Sequence, residues 1–320
     1  MRRVAMSGSV AAILSMLLAP SAALACSACG CTLNSDWASQ GFAASGGWRF
    51  DVRDDYFDQS QLRTGTDAVS RSSLQVPNDQ EIQQYTINRN VTASVDYTPN
   101  KDWGINVSVP YFNRSHATIG EGDTEISTSH DKGIGDVKVV ARYSGFDAQR
   151  STGLLFGLKL PTGDSSDRFE TGPLTGAIVD RGLQLGTGTT DILVGAYHVG
   201  AFSPDWTYFG QVIAQQPLNS NDGFKPGTGL NVNLGLRYMA SSTIVPELQL
   251  NARAEKREQG VNADVDNSGA TLVYLSPGFT WTPARGVSLF AFMQTPVYQR
   301  VNGLQLEATR FFSVGVHYHF

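Results

Sequence analysis

The sequence predicts an all-β protein, a transmembrane antiparallel β-barrel of about twelve strands with both termini in the periplasm. Three observations predict this fold. The chain begins with an export signal, it contains strand-like segments long enough to cross a membrane, and its last strand carries apolar side chains at every second position.

The first 25 residues have the pattern of a signal peptide. Arg2 and Arg3 precede an apolar run over 10–19, and Ala23-Leu24-Ala25 is a cleavage site that predicts a mature chain beginning at Cys26. The run is too short to cross a bilayer as a helix, which needs ~20 apolar residues. We therefore expect a signal peptide over 1–25, a Cys-rich periplasmic segment over 26–45 and the barrel over 46–320. Lipidation of Cys26 is the alternative use of this cleavage site.

Twelve later segments have the composition of strands, and most are close to the ~9–11 residues that cross a membrane at a tilt. They lie near 46–57, 82–97, 102–113, 134–145, 152–162, 189–200, 205–216, 228–240, 244–256, 270–282, 286–299 and 311–320.

The links between these segments alternate between short and long. The short links lie near 99–101, 145–151, 203–204, 241–242 and 283–286. The long links lie near 58–81, 114–133, 163–188, 217–227, 257–269 and 300–310. Short periplasmic turns and longer extracellular loops are typical of outer-membrane barrels, whereas a soluble β-sandwich has no reason to alternate in this way.

Alternation within the strands predicts which side chains face inward. In a membrane barrel the apolar row contacts lipid and the polar row lines the lumen. The predicted lumen-lining residues are Arg49, Asp51, Arg53, Asn88, Asn90, Asp96, Asn231, Asn233, Arg237, Glu247, Gln249, Asn251 and Arg253. Lys138, Arg142 and Lys159 either face the lumen and favour anionic solutes, or pair with Asp136 and Asp191. The sixth and seventh segments alternate too weakly to assign their faces.

The last strand predicts the compartment. Its apolar row is Phe312, Val314, Val316, Tyr318 and Phe320, so the chain ends on an aromatic residue. A terminal strand of this kind resembles the assembly signal of Gram-negative outer-membrane barrels. We expect export across the inner membrane followed by insertion into the outer membrane, with the lipid bilayer and the barrel-assembly machinery as partners.

Composition excludes other classes of protein. Without Arg2 and Arg3 the chain has 22 basic and 29 acidic residues, and its net charge goes from −5 to −7. An exported acidic chain is not expected to bind nucleic acid. The mean hydropathy of −0.18 is too polar for a helical membrane protein but normal for a barrel, whose strands are half polar.

Three glycine-rich stretches go beyond a generic barrel: 132–137 (KGIGDV), 157–163 (GLKLPTG) and 185–191 (LGTGTTD). With the terminal strand, they resemble the outer-membrane transporter family named for the meta-pathway of phenol degradation. This resemblance implies a monomeric barrel that conducts aromatic or other hydrophobic small molecules. The glycines also fit places where strands meet loops and the chain must bend.

The three cysteines, Cys26, Cys29 and Cys31, form a C-x-x-C-x-C run. Such spacing lets thiolates converge on one soft metal ion, copper or zinc. His317 and His319 lie near the same end of the predicted barrel, so we hypothesise a metal site of these five residues at the periplasmic mouth. A disulfide or a lipid anchor in a segment that partly plugs the pore is the alternative.

No catalytic arrangement is evident, and we do not expect an enzyme. His116, His130 and His198 lack a Ser or Asp partner motif, and His116 and His130 are predicted to lie in a solvated extracellular loop. The sequence thus favours a porin-like channel or transporter that passes small solutes by passive diffusion. The alternatives are a metal-handling outer-membrane protein and a structural or adhesive barrel.

Overall fold

The computed structural model describes residues 46–320, which form a single β-sheet. Its strands are β1 (Gly47–Gly65), β2 (Asp67–Val69), β3 (Ile82–Thr98), β4 (Trp103–Ile119), β5 (Ile126–Ile134), β6 (Val137–Tyr143), β7 (Thr152–Leu160), β8 (Asp191–Ser203), β9 (Trp206–Pro217), β10 (Gly229–Tyr238), β11 (Ile244–Glu255), β12 (Ala270–Ala284) and β13 (Val287–His319). Short 3-10 turns lie at Arg71–Ser73 and Arg181–Leu183. Residues 46–320 contain no helix of the length and apolar character needed to cross a membrane.

The sheet closes into an antiparallel barrel, as the sequence predicts. Neighbouring strands pair in chain order, except that β1 pairs directly with β3 and β4 pairs directly with β6. The last strand, β13, pairs with both β12 and β1. The closing seam runs from Arg49 opposite His319 to Gly65 opposite Val301. Within residues 46–320, two strands lie outside the closed ring: β2 pairs only with β1, and β5 pairs only with β4. A closed sheet leaves no unpaired edge in its wall, which is the condition for a barrel in lipid.

The last strand, β13, reverses direction within its own range and so forms two antiparallel arms. Residues 287–301 pair with β12, and residues 301–319 pair with β1. The chain reverses beside Gly303, which has a φ of 61° that favours glycine. The amide of His319 then donates to the carbonyl of Gly286 at 2.8 Å. Eleven strands of the ring, with β13 crossing twice, therefore give the twelve crossing segments that the sequence predicts.

Side chains alternate between an apolar outside and a polar inside. On β1, Trp48 and Phe50 are 43% and 42% exposed, whereas Arg49 and Asp51 are 4% and 3% exposed. This is the reverse of a soluble protein and the expected pattern for a barrel surrounded by lipid. Residues 46 and 320, the two ends of the described part of the chain, lie at one end of this barrel, called here the terminal end. The opposite end is called the loop end.

Three of the predicted long links are partly strand. Pairing with β13 continues β1 to Gly65, a hairpin of β4 and β5 occupies most of 114–133, and 300–310 belongs to β13. Polar residues lie on both faces of these extensions. Neither face there contacts lipid, which enforces the alternation of apolar and polar side chains nearer the terminal end. Backbone hydrogen bonding between strands therefore extends beyond the segments in which apolar and polar residues alternate.

The link after β7 is the exception, because it turns inward. Residues 161–190, called here the inserted link, contain the turn at Arg181–Leu183, and its residues 180–186 are buried. This insertion defines the site described next.

Candidate functional site

A cavity of about 330 Å³ lies inside the barrel. Inward side chains of β1, β3, β4 and β6–β11 line it, and residues 182–187 of the inserted link contribute to it as well. A concave site of this size, enclosed by rigid strands, is the usual form of a small-molecule site.

One side of the cavity is apolar. Leu155, Leu193 and Ile213 line it from β7, β8 and β9, and we call these three residues the apolar wall. The buried rings of Tyr197 and Phe209 continue the cluster. Most outward residues of β8 and β9 are apolar too, which explains why apolar and polar residues do not alternate clearly in these two segments. An apolar patch facing the lumen of a barrel is a departure from the polar interior expected of water-filled pores.

The opposite side is polar. Five of the residues predicted to line the lumen do line the cavity: Arg53, Asn90, Asn231, Asn233 and Arg253. Asn90 is 1% exposed, and neither its Oδ1 nor its Nδ2 has a hydrogen-bond partner in the described part of the chain. Buried amides are normally satisfied, so Asn90 has hydrogen-bonding capacity available to a bound molecule or to water.

Other predicted lumen residues pack against one another nearer the terminal end. Arg49 Nε lies 3.0 Å from Asp51, and Asp96 lies 3.3 Å from Arg142. Their side chains are at most 8% exposed, so these charges are paired away from water. Arg237, Glu247, Gln249 and Asn251 are also buried or nearly so. Asn88 is buried on the loop side of the cavity instead, where its Oδ1 accepts from Arg114 and its Nδ2 donates to Gln59. A layer of polar side chains thus fills the lumen between the cavity and the terminal end.

The three glycine-rich stretches meet at one point beside the cavity. Asp136 Oδ2 accepts from Lys159 Nζ at 3.0 Å and from the Thr187 amide at 3.0 Å, while its Oδ1 accepts from the Gly163 amide at 3.1 Å. Lys159 Nζ also lies 3.3 Å from Asp191. The stretches therefore form a structural knot that fixes both ends of the inserted link.

Two glycines allow the ends of the inserted link to touch. A Cβ on Gly163 would lie 2.7 Å from the Cα of Gly186, and a Cβ on Gly186 would lie 2.5 Å from the carbonyl oxygen of Gly163. Backbone this close leaves no space for a side chain at either position, so glycine is required at both.

Arg114 holds the middle of the inserted link. Its guanidinium donates to the carbonyl of Leu183 and, at 2.7 Å, to Asn88 Oδ1. The same group lies 5.6 Å from the ring centroid of Phe112, within the range of a cation–π contact. Sequence analysis missed Arg114, because its partners are carbonyl groups about 70 residues away that no local pattern indicates.

Carboxyl groups face each other where the inserted link meets the barrel at the loop end. Burial raises the pKa of Asp131, on β5, to about 6, and the nearby charge of Asp167 adds to the effect. Burial also raises the pKa of Asp180 well above its usual range, and the charges of Glu258 and Glu81 raise it further. The inserted link is therefore more stable in its buried position when these carboxyl groups are protonated.

The predicted metal site falls only partly within the described residues. Cys26, Cys29 and Cys31 lie outside them. His317 is buried, its Nδ1 lies 2.6 Å from Asp51 Oδ1, and its ring stacks on Phe290 at 4.8 Å. Residues 46–320 hold no group of three or more His, Cys, Asp or Glu arranged for a metal ion. Copper or zinc binding by the cysteines with His317 or His319 stays a prediction.

The other histidines lie on strands, which corrects the expectation of a loop for two of them. His116, on β4, is 1% exposed, and its Nδ1 lies 2.9 Å from Thr86 Oγ1. His130, on β5, lies 2.8 Å from Ser115 Oγ, and His198, on β8, lies 2.9 Å from Thr152 Oγ1. Each of these three rings has a cross-strand hydroxyl partner, which accounts for its position without a catalytic role.

Comparison with solved structures places this fold among outer-membrane barrels. The COG4313 outer membrane channel from Pseudomonas putida F1 is similar over 88% of this chain and 98% of its own, with a TM-score of 0.62 and 12% identity. The translocator domain of the autotransporter NalP from Neisseria meningitidis covers 88% of this chain and 92% of its own, at a TM-score of 0.47 and 12% identity. The CymD monoaromatic hydrocarbon channel covers 88% and 90%, at a TM-score of 0.46 and 8% identity.

Sequence comparisons add no family assignment. No protein-family model matches the chain, and no curated protein matches it. The likeness to the Pseudomonas channel concerns the fold, and the family named for phenol degradation stays a prediction from the three glycine-rich stretches.

Proposed function

We propose that this protein is an outer-membrane channel for small hydrophobic or aromatic solutes. The observation that carries the proposal is the apolar wall of Leu155, Leu193 and Ile213, which lines the cavity inside the barrel. Apolar surface in contact with lumen water is unfavourable by roughly 25 cal/mol per Å², and an apolar solute that covers it relieves that cost. A water-filled pore for sugars or ions gains nothing from such a surface.

Several features support the membrane location. Large apolar side chains stand exposed around the barrel, as at Trp48, Phe50 and Val52. Lipid is the solvent in which such a surface is stable. The Pseudomonas putida F1 protein with a similar fold is an outer-membrane channel. In this proposal both termini lie in the periplasm, the loop end faces outward, and the barrel-assembly machinery inserts the chain.

Transport in this proposal is passive and needs a conformational step. The inserted link closes the cavity toward the loop end, and the layer containing Arg49, Asp96 and Arg142 closes it toward the terminal end. A solute therefore enters the cavity when the inserted link moves aside and leaves when the polar layer rearranges. Motions of this kind take microseconds to milliseconds, fast enough for nutrient uptake.

Uptake of a neutral aromatic solute tests the proposal. Porin-deficient cells with an intact lipopolysaccharide layer, expressing the protein, should take up labelled toluene several-fold faster than cells with an empty vector. Leu193→Asn should remove most of the gain, because it places an amide in the apolar wall. Leu230→Ala, on the exposed outer face of β10, is the matched control and should retain uptake. Uptake equal to the empty vector, with folded protein in the membrane, would overturn the proposal.

A further inference from the structure

The charge of the cavity differs from that of the chain. Five of its lining residues are basic and three are acidic, whereas the whole chain has a net charge of −5. Two of the acidic residues, Asp136 and Asp191, are ion-paired to Lys159, and Glu255 is ion-paired to Arg253. The lining thus holds its negative charges in fixed pairs. Arg53 is itself ion-paired to Asp55 beside the cavity, so one positive charge remains in excess.

Residues with hydrogen-bond donors line the same cavity. The amide Nδ2 atoms of Asn90 and Asn106 are buried, line the cavity and have no hydrogen-bond partner among residues 46–320. Lys138 lines it from β6, opposite Ser108 of β4 and Lys159 of β7, and its side chain is exposed within the lumen. Amide and ammonium donors of this kind favour an anionic oxygen over a neutral one.

The apolar and basic sides belong to one cavity, so a single small ligand meets both. A volume of about 330 Å³ suits a molecule of one aromatic ring with a short substituent better than a free inorganic ion. The apolar wall gives a ring its contact surface, and the basic side gives a carboxylate its donors. Neither a hydrocarbon nor a sugar uses both sides.

We infer that the ligand is an aromatic or similarly apolar molecule carrying one carboxylate. The ring lies against Leu155, Leu193 and Ile213, and the carboxylate lies toward Lys138 and the amides of Asn90 and Asn106. This inference rests on the proposed channel function and narrows its solute class. It also accounts for a cationic lining in a chain that is acidic elsewhere, since a positive lining concentrates anions.

Benzoate and benzamide test the inference, because they match in size and differ in charge. Titration calorimetry at pH 7.5 on the full-length mature protein in detergent should give at least tenfold tighter binding of benzoate than of benzamide. One charge-assisted interaction is worth about a tenfold change in affinity. Acetate, which has the charge but no ring, should bind at least tenfold more weakly than benzoate.

The variant Lys138→Met tests whether the charge of Lys138, and not the fold of the barrel, accounts for the tighter binding of benzoate. It should weaken benzoate about tenfold, leave benzamide within twofold, and keep the folded barrel that resists unfolding in detergent without heating. Lys101→Met is the matched control: Lys101 is exposed in the turn between β3 and β4, outside the cavity, and the variant should bind like wild type. Equal binding of benzoate and benzamide, equal weakening of both by Lys138→Met, or equal binding of acetate and benzoate would overturn the inference. Failure of the cells expressing the protein to take up either toluene or benzoate faster than the empty vector, by contrast, would overturn the channel function itself.

Discussion

Asp136 shows how much of this architecture depends on single residues. Its two carboxylate oxygens accept from a side chain of β7 and from amides at both ends of the inserted link. The group is 7% exposed, so water replaces few of these bonds if the carboxylate is lost. One short side chain therefore joins both ends of the inserted link to the wall of the barrel.

Replacing Asp136 should release the inserted link. Asp136→Ala removes a buried ion pair and two amide bonds, and breaking such a pair costs ~3–5 kcal/mol. We expect more frequent and larger openings in single-channel recordings, with the barrel still folded. Asp222→Asn is the control, because Asp222 pairs with Arg181 of the same link but is 65% exposed and is worth at most ~1 kcal/mol. Recordings of Asp136→Ala that match those of wild type would contradict the role of the knot.

The sequence could indicate this residue but not its role. The glycines and Asp136 stand out as a motif, and the alternative of a Lys159 pair with Asp136 and Asp191 is found in the structure. Arg114 could not be found, since a guanidinium that binds carbonyl groups leaves no complementary charge in the sequence. The positions of distant backbone carbonyl groups depend on the fold. A local sequence pattern does not contain that information.

At the scale of elements, the position of the inserted link depends on the ionisation of nearby carboxyl groups. Asp131 of β5 faces Asp167 of the inserted link, and burial together with this neighbour raises the pKa of Asp131 to about 6. A carboxyl with a raised pKa in the seated state binds its proton more tightly there than in a displaced state. Protonation therefore favours the seated link, and the stabilisation is lost as pH rises through about 6. Asp180 shifts in the same direction.

Channel opening should accordingly depend on pH. We expect the open probability of the channel to rise between pH 5 and pH 7.5. Deprotonated Asp131 and Asp167 repel each other, and this repulsion destabilises the inserted link in its buried position. Asp131→Asn should flatten most of this dependence, as measured by conductance in planar bilayers. Asp147→Asn serves as the control, because hydrogen bonds from Ser151 hold the pKa of Asp147 below its usual range and it does not titrate in this window. A wild-type channel that closes as pH rises would have the opposite sign and refute the argument.

Elements were predictable where lipid imposes a pattern. The strands β3, β4, β10 and β11 follow the predicted segments closely at their terminal ends, because one face must be apolar there. The inward turn of 161–190 was not predictable, because a polar link in water and a polar link in a polar lumen have the same composition. The apolar wall escaped detection for the converse reason: Leu193 and Ile213 face inward between outward residues that are equally apolar.

For the whole molecule, closure depends on the last few residues. Phe320 donates its amide to the carbonyl of Trp48 at 3.2 Å and stacks on Phe50 at 5.5 Å across the seam. This contact joins the first and last strands at the terminal end, where pairing of β1 with β13 begins. The barrel has no edge only when that pairing is complete.

Loss of the terminal ring should reduce assembly more than it reduces the stability of assembled barrels. Phe320→Ala should lower the fraction of folded, heat-modifiable protein in outer membranes several-fold at equal synthesis. Phe202→Ala removes an aromatic ring that is 73% exposed and away from the seam, and it should assemble normally. Equal folded fractions for wild type and Phe320→Ala would show that the terminal aromatic is dispensable.

The contact between Gly163 and Gly186 also has an evolutionary meaning. Because the chain leaves the wall and returns to it at one point, everything between those glycines is a closed excursion whose length the barrel does not fix. Lengthening such an excursion costs only ~0.6 kcal/mol per doubling. The segment can thus change in length or sequence without changing the pairing of the strands that form the membrane-embedded wall.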